Sequence, residues 1–139
     1  MKLKIGTVID DTSSISPTAT IGKMVTIGRC ACVEEGVVIH DFAKIGPEVR
    51  IEKNAHIGAH CEIACNAYIG PSAYLHPGVR IDKDSCIGCA VIVGMLTTVG
   101  ARATIENASV IGARVRVDAD QNIPEATVIS DGPPIDYYY

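Results

Sequence analysis

Four histidines are the residues of this sequence best suited to acid–base chemistry: His40, His56, His60 and His76. A free imidazole titrates near neutral pH, so its neutral form can take a proton from an attacking hydroxyl or amine. Asp41 adjoins His40 and is placed to orient a ring nitrogen. The chain also has six cysteines. Cys30/Cys32 and Cys86/Cys89 do not have the spacing of paired zinc ligands, so the thiols are read as small structural residues. Six cysteines with no secretory signal in view point to reduced thiols in a cytosol.

What positions the histidines is a repeat. An aliphatic residue recurs every sixth position from Leu3, Ile9 and Ile15 through Ile57, Ile63 and Ile69 to Ile129 and Ile135, with no step missed and nothing inserted. Two places before each anchor the residue is nearly always Ser, Thr, Ala, Val or Cys, with Gln121 and Pro133 departing near the end. A fixed period sustained over a whole chain is the signature of a solenoid. On a strand, an anchor and the residue two before it point the same way, so both face inward. The Gly, Asp, Glu or Ala after each anchor is expected to turn the corner, glycine because it accepts backbone angles that other residues resist. Three hexads close one triangular coil of about 18 residues, and residues one coil apart stack about 4.8 Å above one another.

Composition agrees with a single domain of this kind. The 139 residues are 47% hydrophobic yet include one Phe and no Trp, which suits a tube filled by stacked Ile and Val. A net charge of −4 offers no attraction to nucleic acid or an anionic membrane. No apolar run approaches a membrane span, and no apolar run follows Met1-Lys2-Leu3-Lys4 as a signal peptide would require. The expected location is the cytoplasm. The repeat domain is taken as residues 1–136, with 137–139 as a C-terminal tail.

The coil sorts the outward residues, one before each anchor, onto three faces. The first carries Thr20, Val38, His56, Tyr74, Ile92, Val110 and Val128; the second Val8, Thr26, Lys44, Glu62, Arg80, Thr98 and Arg116; the third Ser14, Cys32, Arg50, Tyr68, Cys86, Thr104 and Asn122. The second reads as solvated. The first is apolar from Val38 onward, and the corner after it adds Met24, Phe42, Met95 and Leu96. A patch of that size predicts a subunit contact through Val38, Tyr74, Ile92, Val110 and Val128. The four histidines line one edge beside it over three successive coils, where a cleft between subunits would bury a small ligand.

The repeat is similar to that of the hexapeptide-repeat acyltransferase superfamily, over nearly the whole chain. The resemblance implies a left-handed parallel β-helix, a homotrimer, and in many members acyl transfer from acyl-CoA. Asn54-Ala55-His56-Ile57-Gly58-Ala59-His60-Cys61 resembles the N-A-H-I-A-H-D-C segment of acyltransferases that act on UDP-N-acetylglucosamine in lipid A synthesis. The second histidine of that motif is the general base. Aligned on the anchors its position is Ala59, with His60 following, and His56 matches the first histidine. Ile123-Pro124-Glu125-Ala126-Thr127-Val128-Ile129-Ser130-Asp131-Gly132-Pro133-Pro134 resembles the I-P-A-G-S-V-V-A-G-N-P-A ending that lies at the acetyl-CoA end of the groove in acetyltransferases, with Asp131-Gly132 replacing its Gly-Asn pair.

These readings lead to one expectation and two alternatives. The expectation is an acyl-CoA-dependent acyltransferase, acetylating a sugar or nucleotide-sugar amine or hydroxyl between subunits of a homotrimer. His60 or His76 would be the base, and His40, Asp41 and His56 would bind substrate. The first alternative is a non-catalytic β-helix scaffold or assembly subunit. The second follows from Leu75-His76, which resembles the second-histidine position of the gamma-class carbonic anhydrases. Those hold a metal between subunits, and here His40, His60 and His76 would have to supply it, although Pro71 stands where a partner ligand is expected. The expectation adopted is that no metal is bound.

Overall fold

The computed structural model describes residues 3–132, and across them the six-residue register becomes 21 two-residue strands, each made of an outward residue and its anchor. Every strand is parallel to the strand one coil away, with Val38 opposite His56 and His56 opposite Tyr74. The strands form three seven-stranded sheets, which are the three predicted faces. The result is the expected left-handed parallel β-helix of hexapeptide repeats.

The interior is a stack of aliphatic layers. Ile39, Ile57, Leu75 and Val93 are 0–1% exposed, and so are Val37, Ala55, Ala73 and Val91, two places before them. Each such isoleucine contributes roughly 1.5–3 kcal/mol over leaving it in water. Where the inward small residue is polar and buried, its hydroxyl donates to a backbone carbonyl of the next coil: Ser85 to Gly100 (2.7 Å), Thr97 to Gly112 (2.7 Å) and Ser109 to Pro124 (2.9 Å). Among the described residues no buried side-chain nitrogen or oxygen lacks a partner.

Two expectations are corrected. Leu3 is not an anchor in a strand: among the described residues the first strand is Val8–Ile9, and Leu3 is 45% exposed. Ile9 and Ile15 are half-buried, the anchors from Ile21 to Ile123 are buried, and Ile129 is half-buried again. The expected boundary between residues 136 and 137, and Pro133, Pro134, Ile135 and Tyr137–Tyr139, lie outside the described residues.

The second correction concerns the corner. The left-handed backbone falls on the third residue after the anchor, not the first, and is occupied by Met24, Phe42, Asn54, His60 and Leu96 among others. The amide of that residue turns back to the preceding coil, as in Phe42 to Lys23 O (3.0 Å) and His60 to Asp41 O (3.1 Å). A bulky side chain at positive φ is costly unless surrounding structure over-determines it, and here a hydrogen bond at each such corner does so. Glycine after the anchor answers a different need. A Cβ on Gly58 would stand 2.6 Å from Pro77 N, 2.7 Å from His76 C and 2.8 Å from Leu75 O, all backbone of the next coil. Gly58→Ala is therefore expected to lower unfolding stability by about 1–3 kcal/mol, as overpacking does, measured by guanidinium denaturation; an unchanged midpoint would show that the coils can part there at no cost.

Candidate functional site

Along the corner after the first face, the position directly following the anchor reads Gly22, His40, Gly58, His76, Gly94. Each histidine thus lies between glycines one coil away, which leaves room for its ring. The intervening coil contributes an outward residue of the face instead. His40 Nε2 meets His56 Nε2 at 2.6 Å, with the rings stacked at 4.7 Å and 10°. His56 packs on Tyr74 at 4.6 Å, and Tyr74 on His76 at 4.6 Å, both tilted by 49°. His40, His56, Tyr74 and His76 form one continuous strip.

His60 stands apart from the strip. Its left-handed backbone places it in a separate column, where its ring stacks on Phe42 at 4.9 Å and 2°. Beyond it, His60, Pro77, Gly78, Met95 and Leu96 border a groove of about 320 Å³. Asp41 is half-buried at the same corner, and its Oδ1 accepts the Lys23 N–H at 2.9 Å, capping the coil below. Ala59, at the motif's base position, presents only a methyl group to this corner. The four predicted histidines are thus brought to one edge in two groups. Tyr74 and Phe42, which the sequence marks only as contact residues, join the rings of each group. Their signal was in the register: Tyr74 is one coil beyond His56 and Phe42 one coil before His60.

Electrostatics single out His56. Its pKa lies below the ordinary histidine value, first because it is partly buried and then because His40 and His76 oppose a further positive charge. Cys61 lies inside the tube, its thiol donating to His76 O at 3.2 Å, and burial pushes its pKa up to about 11, so it is no nucleophile. Among the described residues no three or more His, Cys, Asp or Glu side chains are grouped to hold a metal ion.

The surroundings of the strip are apolar. Tyr74 is 38% exposed and Ile92 41%, and Phe42, Met95, Leu96, Val110 and Val128 are also exposed on this face and corner. The second face differs: Glu62 lies between Lys44 (4.0 Å) and Arg80 (3.8 Å) in exposed pairs, which contribute little to stability.

The family model of the GMPPB C-terminal domain matches residues 33–132, a stretch that contains all four histidines. The chain belongs to the GMPPB C-terminal domain family. No curated protein sequence matches this family member. Among solved structures, a hexapeptide transferase family protein from Anaplasma phagocytophilum is similar at 20% identity and a TM-score of 0.80, over 86% of this chain and 74% of that one. WeeI from Acinetobacter baumannii is similar at 18% identity and a TM-score of 0.73, over 78% of this chain and 52% of that one. At these identities the likeness establishes the β-helix, and this GMPPB C-terminal domain relative spans about half the length of WeeI. Among the described residues no helix is long and apolar enough to cross a membrane.

The arrangement of rings predicts an order of titration. Followed by NMR, the His56 imidazole is expected to take up its proton below the ordinary histidine pKa of 6.5. Because its folded value is depressed, the contribution of neutral His56 to stability is complete above that pH and declines as pH falls below it. His40→Gln should move the His56 midpoint upward by removing one opposing charge, while burial keeps it below the free value; a midpoint at or above the free value in the unaltered protein would contradict the geometry.

Proposed function

We propose that the chain is an acyl-CoA-dependent acyltransferase, acetylating an amine or hydroxyl of a sugar or nucleotide sugar in a groove that closes between subunits. The observation that carries this reading is the concentration of the four imidazoles on one corner, beside an apolar groove and the exposed apolar face. In this reading the first face joins three copies, and a neighbouring subunit covers the edge bearing His60 and His76. A neutral imidazole there takes the proton of the acceptor as its oxygen or nitrogen attacks the thioester carbonyl. The C–S bond then breaks, and the CoA sulfur leaves as the thiol once it has gained a proton. His60 borders the groove directly, and His76 stands in the strip next to Pro77, which also borders it. His40, His56 and Asp41 are assigned to acceptor binding, with Asp41 offering the carboxylate oxygen not taken by Lys23.

A second reading is favoured by the family itself. The matching model describes a C-terminal domain, and the motif's base position holds Ala59. Under this reading the β-helix is an assembly domain, and its histidines pack an interface. The same apolar face serves both readings.

Acetyl transfer from acetyl-CoA to a panel of amino sugars separates them. The unaltered chain is expected to turn over, and the double change His60→Ala/His76→Ala to reduce turnover by roughly 10²–10⁴ while the oligomer persists. Turnover that survives the double change would remove both residues from the mechanism, and inactivity with every acceptor would favour the assembly domain. The interface has its own test. Ile92→Asp is expected to give monomers in sedimentation velocity, because a charge buried without a partner is costly; a trimer that tolerates it would place the contact on another face.

A further inference from the structure

We propose that the His40–His56–Tyr74–His76 strip makes self-association through the first face acid-sensitive, holding copies of the chain together near neutral pH and releasing them below it. This rests on the reading that the first face joins copies of the chain.

The argument begins with the short contact. With Nε2 of His40 and Nε2 of His56 2.6 Å apart, one nitrogen must donate and the other accept, so the contact holds one proton between two neutral rings. A proton added at the accepting nitrogen makes both Nε2 atoms donors, which breaks the contact and leaves one ring positive; protonation of the other ring as well would set two positive rings with centroids 4.7 Å apart. Tyr74 then carries the strip to His76, so a third imidazole adjoins the pair.

Among the described residues no carboxylate is among the charges that act on His56 itself. On the flanking strands the outward residues are Val38, Tyr74 and Ile92, none of which bears a charge at neutral pH. At the corner, Lys23 adds a positive charge and the Asp41 carboxylate beside His40 a negative one, its Oδ1 accepting from the Lys23 amide, while His60 stacks on Phe42. The charges that act on His56 are those of His40 and His76, and both oppose its protonation.

Association sharpens the effect. A second copy seated on Tyr74, Ile92 and Val110 removes water from the half-buried His56, and desolvation disfavours the charged ring further. The separated chains leave the rings hydrated, so they bind protons more readily than the assembly does. By linkage, acid then favours the separated state, beginning near the free histidine pKa of about 6.5.

The test is sedimentation velocity at about pH 7.5 and about pH 5.5, at one ionic strength, on the unaltered chain and on His40→Gln/His56→Gln, whose amides can hydrogen-bond without titrating. The expected result is assembly at the higher pH, with an apparent dissociation constant at least about tenfold weaker at the lower one. In the double variant the change should be less than about threefold. Should the double variant not fold by circular dichroism, His40→Gln alone is judged by the same criterion, since His40 is exposed. Equal assembly of the unaltered chain at both pH values, or a variant response as large as its own, overturns the proposal and leaves the interface reading intact. A monomer at the higher pH overturns the interface reading, and the proposal falls with it.

Discussion

Everything in this molecule depends on the hydrogen bond from each strand to the strand one coil away. His56 N–H donates to Ala73 O at 2.8 Å, Tyr74 N–H to Val91 O at 2.8 Å and Ile92 N–H to Ser109 O at 3.0 Å, in unbroken succession. Because the strands are parallel and in register, each residue lies against its own equivalent in the next coil. A sequence position is therefore a column. Whatever a column repeats, whether isoleucine, alanine or an aromatic ring, it repeats at the spacing of strands in a sheet.

That rule explains both the economy of the core and the concentration of chemistry. Inward columns need only small and branched side chains, so a chain with one Phe and no Trp fills its interior without voids large enough to need aromatics. Outward columns carry no packing burden and are free to differ. The second face pairs opposite charges along its column, while the first accumulates rings and aliphatic groups. Alternation of glycine with histidine after the anchors adds a finer control, because it decides which coil may place a ring at the corner.

Most of this was legible before any coordinates. The anchors, the three faces, their outward residues and the gathering of four histidines at one edge all follow from counting in sixes. What counting could not supply was local. Leu3 keeps the period but lies in no strand and is exposed, which periodicity alone does not reveal. The corner's left-handed residue could not be picked out by composition, since the structure puts Phe42, His60 and Leu96 where glycine would be the ordinary choice. The division of His60 from the strip depends on that same backbone turn, and ring pairing depends on side-chain direction, which spacing does not encode.

The layered interior also has a consequence for where the molecule resists opening. In a structure whose parts touch only their neighbours along one axis, stability is a sum over adjacent layers. Ile39, Ile57 and Leu75 lie between complete layers on both sides, whereas Ile9, Ile15 and Ile129 are only half-covered. The strip of imidazoles is borne on the layers of Ile39, Ile57 and Leu75, so the rings stand on the most fully covered part of the described stack.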